Sequence, residues 1–151
     1  MKRDFDQMMD HVKQLHAELI QMQPVTRDAL GDCQYPGVYL FSEGENHLYA
    51  GRGKDVRERI LQHSRPSVKD APFAFRLTRE ATNRKATYRP EGGCKELLND
   101  PAFYEVLLAQ KQRIARMTIR YVRADDPVTQ ALLEIYTATV LGARYNEFQT
   151  T

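Results

Sequence analysis

Two short β-prone runs, joined by a turn-rich Gly/Asn connection, constrain the fold of this chain more than any other feature. The runs are Val38–Phe41 and His47–Ala50, and their close spacing predicts a β-hairpin. Asp55 follows soon after the second run and is a favourable N-cap residue. A helix is therefore expected to begin there, with Val56 and Ile60 facing inward.

Helical patterns and one further strand surround this hairpin. Apolar residues from Phe5 to Ile20 recur at i, i+3, i+4 and i+7 and predict an amphipathic helix that Pro24 ends. Further along, the sequence predicts a short helix over 71–81, a basic loop over 82–93, helices opened by Asp100-Pro101 and Asp126-Pro127 that reach about Ala115 and Leu141, and a strand over 117–122. The expected fold class is α+β: a small three-stranded antiparallel sheet flanked by helices, with an extra N-terminal amphipathic helix.

The length of 151 residues predicts one domain overall. Within it we expect an N-terminal helical extension over 1–34, packed on a core domain over 35–148. The shares of hydrophobic and charged residues, 42% and 28%, are those of a globular chain and not of a disordered one. The absence of a long apolar run predicts no membrane partner and a cytoplasmic protein. Two cysteines, Cys33 and Cys94, are too few for a disulfide framework.

The formal net charge of +2 conceals a division along the chain. Residues 1–49 have a balance of −4, residues 50–95 of +7, and residues 96–151 of −1. Arginine makes up 15 of the 22 basic residues, and its planar guanidinium binds phosphate oxygens in pairs. The central segment therefore predicts a polyanionic partner. The alternative is a solvated face with scattered charges.

A set of polar and glycine positions resembles the signature of the GIY-YIG nuclease superfamily over roughly residues 35–148. The family pattern has two aromatic tripeptides, a basic residue after the second, an arginine and a histidine four apart on a helix, and a later glutamate and asparagine. These positions hold Gly37-Val38-Tyr39, Tyr49-Ala50-Gly51, Arg52, Arg59, His63, Glu134 and Asn146. The chain departs from the pattern in having alanine at position 50 and a slightly shorter gap between the tyrosines. Neither departure removes a functional group.

The resemblance implies a metal-dependent endonuclease that hydrolyses phosphodiester bonds in nucleic acid, with DNA favoured over RNA. It implies one divalent metal ion, Mg²⁺ or Mn²⁺, held by Glu134. The implied catalytic residues are Tyr39, Tyr49, Arg59, His63 and Glu134, and the implied supporting residues are Gly37, Gly51, Arg52 and Asn146. The alternative is a module of the same fold that binds nucleic acid, or another partner, without turnover.

The residue types at these positions suit phosphodiester hydrolysis. Arg59 is permanently charged and fits the stabilisation of charge that builds on phosphate oxygens. His63 lies four positions later on the same helix face and is suited to accept a proton near neutral pH. Tyr39 becomes a base only where nearby cations stabilise its phenolate.

Glu134 and Asn146 raise alternatives that the sequence leaves open. Glu134 interrupts a stripe with Ala131, Ile135, Ala138 and Leu141, a setting in which an unpaired carboxylate is costly. This pattern predicts that Glu134 binds a cation, either a metal ion or a neighbouring arginine. Asn146 is expected to orient either Glu134 or the hairpin by hydrogen bonds.

Basic residues in the segment 64–95 are the expected contacts to the nucleic-acid backbone, because phosphate contacts give affinity that is independent of sequence. These residues are Arg65, Lys69, Arg76, Arg79, Arg84, Lys85 and Arg89. The interleaved aromatics Phe73, Phe75 and Tyr88 either belong to the core or stack on bases, and the core is favoured for Phe73 and Phe75.

The N-terminal apolar stripe needs a surface to cover. That surface is either the rest of the domain, a second copy in a homodimer, or another partner. His11 and His16 lie five positions apart on this helix and are predicted to be ordinary surface histidines.

Overall fold

The computed structural model describes residues 2–67, 71–84 and 94–148 and confirms the α+β prediction. Contacts divide the chain into two compact units. The first unit comprises Met1–Leu61 with Met117–Thr151, and the second comprises Gln62–Arg116. The strands are β1 (Gly37–Glu43), β2 (Asn46–Gly53) and β3 (Thr118–Arg123), and the helices are α1 (Phe5–Gln21), α2 (Val56–Ser64), α3 (Pro72–Thr82), α4 (Cys94–Asn99), α5 (Pro101–Ala115) and α6 (Pro127–Leu141).

The sheet of the first unit has the order β2-β1-β3, with β1 antiparallel to both neighbours. The register places Tyr39 of β1 opposite Gly51 of β2 and Tyr121 of β3. A short bridge between Val25 and Ile119 adds two hydrogen bonds to the outer side of β3. The hairpin that the sequence predicted is therefore present, and its first strand, β1, is the central strand of the sheet.

One face of the sheet packs against α1 and α6 to form the core of the first unit. Since side chains alternate along a strand, Tyr39 and Phe41 point to the opposite face. The apolar stripe of α1 is thus covered by the chain's own sheet and by α6. The buried members of this core include Val12, Leu15 and Leu19 of α1, Val38 and Leu40 of β1, and Leu133 and Ala138 of α6.

Local capping signals begin the helices where the sequence placed them. The side chains of Asp55, Asp100 and Asp126 each accept a hydrogen bond from a backbone N–H of the following helix, at 2.9 to 3.0 Å. Gly142 follows α6 with a φ of +63°, in the left-handed region that favours glycine. These contacts satisfy backbone groups that a helix end leaves without intrahelical partners.

The structure departs from the predictions in three places. Helix α4 was not predicted, because six residues are too few to show a helical period. Thr82, predicted to open a basic loop, is the last residue of α3, and Asn83 caps that helix in the left-handed conformation. His16 is not an ordinary surface histidine: it is half-buried, 3.0 Å from Thr137 Oγ1, and edge-on to Tyr136.

The second unit is built mainly from α3 and α5. Phe73, Leu77, Leu107 and Ile114 are buried in it, which confirms the core prediction for Phe73. Phe75 is half-buried and packs against Phe103, with ring centroids 5.3 Å apart; Tyr88 lies outside the described residues. Within the described ranges, no helix combines the length and apolar character that crossing a bilayer requires.

Candidate active site

Two glycines allow the central strand to pack around Tyr39. A Cβ atom at Gly51, directly across the hairpin, would overlap the Tyr39 hydroxyl and ring. A Cβ atom at Gly37 would overlap the carbonyl oxygen of Val122 on the other side. At both positions a side chain would clash with the neighbouring strand, so glycine is required there. Gly51 in particular leaves the space that the Tyr39 side chain fills.

In the first unit, Tyr39, Tyr49, Arg59 and Glu134 form a polar cluster, in which Tyr39 interacts with each of the other three. Tyr39 is 1% exposed, and burial raises the pKa of its hydroxyl well above the usual value. Tyr49 and Glu134 raise this pKa further, whereas Arg59, which hydrogen-bonds the hydroxyl, lowers it. Burial outweighs the arginine, so Tyr39 is a neutral phenol at neutral pH.

The backbone around the start of α2 fixes the position of Arg59. A Cβ atom at Gly53 would lie 3.1 Å from the Arg59 Cβ, so the end of β2 approaches the helix closely. The N–H of Val56 donates to the carbonyl of Tyr35 at 3.0 Å and anchors the first turn. Arg59 is consequently held against the strand pair that carries the two tyrosines.

Glu134 forms an ion pair with Arg52, with 2.9 Å between Oε2 and Nε. The Glu134 side chain is 21% exposed and the Arg52 side chain 48%. The apolar stripe predicted around Glu134 is wrong at Ile135, which is 48% exposed. Helix α6 turns Leu133 to the core and Glu134 to the rim, where its carboxylate meets the arginine.

Asn146 binds the hairpin. Its Oδ1 accepts from the backbone N–H of Ala50 at 2.8 Å, and its Nδ2 donates to the carbonyl of Ala50 at 2.7 Å. The N–H of Tyr145 also donates to the carbonyl of Leu48, at 3.2 Å. The segment after α6 thus satisfies the outer edge of β2, next to Tyr49. Of the two roles expected for Asn146, these contacts give it the one at the hairpin.

The donor set of the cluster fits a weakly ligated hard cation. In the part of the chain that the structure describes, no three His, Cys, Asp or Glu side chains gather to share a metal ion. The Glu134 carboxylate lies at the rim of the cluster. Mg²⁺ commonly keeps several water ligands and takes one or two carboxylates, so this set is compatible with Mg²⁺ and is unlike a zinc site.

The second unit contains the remaining residues that the sequence singled out. His63 is fully buried there, and its ring meets Phe73 with centroids 6.3 Å apart; its catalytic role stays a prediction. Arg79 lies over the Phe75 ring at 5.3 Å. Arg84 pairs with Asp100 and lies over Phe103.

The prediction of a backbone-binding segment stays a prediction. Arg65 and Arg76 are half-buried, and Arg79 and Arg84 already make contacts within the unit. Lys69, Lys85 and Arg89 lie outside the described residues.

Lys111 is a buried cation that was not predicted from the sequence. It is 1% exposed, and its Nζ donates to the carbonyl of Arg65 at 2.6 Å. Burial lowers its pKa. The signal was its position: Lys111 occurs at helical spacing with Phe103, Leu107 and Ile114 on the buried face of α5. A charged residue within an apolar stripe is a sign of a specific buried partner.

Comparison with known proteins gives one partial similarity. A stretch of 36 residues is 44% identical to UvrABC system protein C of Aquifex aeolicus (strain VF5), covering 24% of this chain and 6% of that protein. The chain therefore matches only a small fraction of the length of this relative. No family model matches the chain. No solved structure matches it either.

Proposed function

We propose that this protein is a metal-dependent endonuclease of the GIY-YIG type, acting on nucleic acid and on DNA in preference to RNA. The observation that carries the proposal is the cluster in which Arg59 hydrogen-bonds buried Tyr39 beside Tyr49 and Glu134. The ion pair between Arg52 and Glu134 borders this cluster. The 36-residue similarity to UvrABC system protein C points towards a nuclease as well.

The cluster supplies the groups that phosphodiester hydrolysis needs. Arg52 is half-exposed and binds a phosphate oxygen of the substrate, while Arg59 stabilises the negative charge that develops during in-line attack. Tyr39 and Tyr49 orient the phosphate through their hydroxyls. Because Tyr39 is a neutral phenol, its hydroxyl has a proton to donate to a phosphate oxygen when Arg59 turns to the substrate.

Proton removal from the attacking water is assigned by the resemblance rather than by contacts within either unit. The resemblance gives this task to His63 together with Tyr39, but a neutral phenol cannot accept the proton, so we assign it to His63 and keep Tyr39 as a hydrogen-bond donor to the phosphate. Glu134 would hold the divalent ion, Mg²⁺ or Mn²⁺, which when bound would stabilise the negative charge on the leaving oxygen. Asn146 and Gly51 support the arrangement by fixing β2 and making room for the Tyr39 side chain.

The first experiment compares Glu134→Gln with the native protein on single- and double-stranded DNA and RNA, with Mg²⁺ or with a chelator. Native protein is expected to cut in Mg²⁺ and to stop when the metal is chelated. The variant is expected to lose cleavage by about 100-fold or more while retaining much of its binding. Glu18→Gln, the same change at an exposed position on α1, serves as the matched control.

Undiminished cutting by Glu134→Gln would overturn the metal assignment. Binding without cleavage by the native protein, under every condition tried, would instead identify a non-catalytic nucleic-acid-binding module.

A further inference from the structure

The ion pair at the rim of the cluster joins two side chains whose proposed ligands carry opposite charges. Arg52 is suited to a phosphate anion and Glu134 to a divalent cation, yet in the structure each neutralises the other at 2.9 Å. The two partners differ in exposure, 48% for Arg52 and 21% for Glu134. Arg52 is thus the partner that solvent, or a solvent-borne phosphate, reaches more easily.

A guanidinium at this distance acts on metal binding through simple electrostatics. It occupies one carboxylate oxygen and places a positive charge beside any cation that approaches the other. A phosphate diester at Arg52 reverses both effects, because it withdraws the guanidinium and adds negative charge near the metal. The half-exposed Arg52 side chain is expected to make this exchange by rotating towards the phosphate.

The geometry points to Arg52 as the residue that makes cation binding at Glu134 depend on a bound phosphate diester. This inference rests on the proposed function and adds an order of binding to it. Nucleic acid binds before the metal or together with it, and the metal alone binds weakly. Thermodynamic linkage requires the reverse effect of equal size, so the metal must tighten nucleic-acid binding by the same factor.

The test measures Mn²⁺ binding by electron paramagnetic resonance, first without nucleic acid. Arg52→Gln removes the charge and is expected to bind Mn²⁺ about 10-fold tighter than the native protein, within the usual range of coupling between sites. Arg52→Lys keeps the charge and is expected to behave as the native protein does. Glu134→Gln gives the background that does not depend on this carboxylate.

A second arm adds a short oligodeoxynucleotide in a Tyr39→Phe background, which suppresses cleavage. The oligonucleotide is expected to tighten Mn²⁺ binding at Glu134 by a similar factor when Arg52 is present, and to have much less effect with Arg52→Gln. Equal or weaker Mn²⁺ binding by Arg52→Gln in the first arm would show that Arg52 holds Glu134 ready for the metal, and would overturn this inference alone. With the oligonucleotide present, Mn²⁺ binding that is equal with and without Glu134→Gln in the Tyr39→Phe background would overturn the metal assignment of the proposed function.

Discussion

At the scale of single residues, the position of Tyr39 depends on the absence of a side chain at position 51. The two residues are opposite each other in the β1–β2 register, and a Cβ at Gly51 would overlap the tyrosine hydroxyl. The glycine of the second tripeptide is therefore needed for packing against the first tripeptide's tyrosine. A pattern that spans the hairpin in sequence is one steric unit in space.

We expect Gly51→Ala to displace the Tyr39 ring and to break its alignment with Arg59. Overpacking of a buried site lowers the free energy of unfolding by about 1–3 kcal/mol. The loss of cleavage rate, expressed as a free energy, should be larger than this because the Tyr39 hydroxyl leaves its partners. Urea denaturation and cleavage rates measure the two effects. Gly31→Ala is the matched control, since its Cβ would meet only the Tyr121 hydroxyl, at 3.3 Å. Full activity in Gly51→Ala would contradict this account of the tripeptides.

At the scale of secondary-structure elements, α6 begins at a charged junction with the N-terminal segment. Asp126 caps the helix and also accepts from the Arg3 guanidinium at 2.8 Å. The hydrogen bond from Arg3, followed by that from the Thr129 backbone, lowers the pKa of Asp126 to about 2. The residues before α1 are in this way joined to the helix that carries Glu134.

The ion pair between Arg3 and Asp126 makes the free energy of unfolding depend on pH in the acid range. The folded pKa of Asp126 is about 2, below the ordinary value of 3.8, so its contribution is fully present above pH 3.8 and is lost as the pH falls through 2. We expect Arg3→Gln to raise the pKa of Asp126 and to move this loss to higher pH. Carboxyl-carbon NMR titration and urea midpoints between pH 2 and 5 measure both. Lys13→Gln makes an equal change of charge at an exposed site and should leave the pKa of Asp126 unchanged. An unchanged pKa of Asp126 in Arg3→Gln would contradict a contribution from the ion pair.

The elements themselves could be predicted from sequence because their signals are local. An N-cap and the helix it begins are neighbours in the sequence, and a helical period repeats every three or four residues. The structure contains the predicted N-caps at Asp55, Asp100 and Asp126 and the predicted helix α1. Helix α4 was not predicted because its six residues are too few to show a helical period.

The pairings within the candidate site could not be predicted in the same way, because they join distant parts of the chain. The hydrogen bonds of Asn146 span 96 residues to Ala50, and the ion pair of Arg52 reaches across to α6. The resemblance named the polar residues and left open which binds which. The prediction that His16 is an ordinary surface histidine was wrong for the same reason, since nothing in the sequence of α1 shows that α6 lies against it.

At the scale of the whole molecule, α1 is part of the hydrophobic core that supports the site. Val12 and Leu19 are fully buried together with Val38 and Leu40 of β1, on the face of the sheet opposite Tyr39. The sequence predicted residues 1–34 as an extension packed on a core domain. Burial on this scale implies that α1 and the sheet lose their structure together rather than one after the other.

We expect Leu19→Ala to destabilise the first unit by about 2–5 kcal/mol, as large-to-small changes at fully buried sites do. Hydrogen exchange should show the amides of β1 losing protection by the same free energy as those of α1, because both belong to one cooperative unit. Phe5→Ala, on the same helix at a side chain that is 58% exposed, should change both by under about 1 kcal/mol. Loss of protection confined to α1 would mean that the helix is an extension that opens independently, and that the sheet carrying Tyr39 and Tyr49 keeps its structure without it.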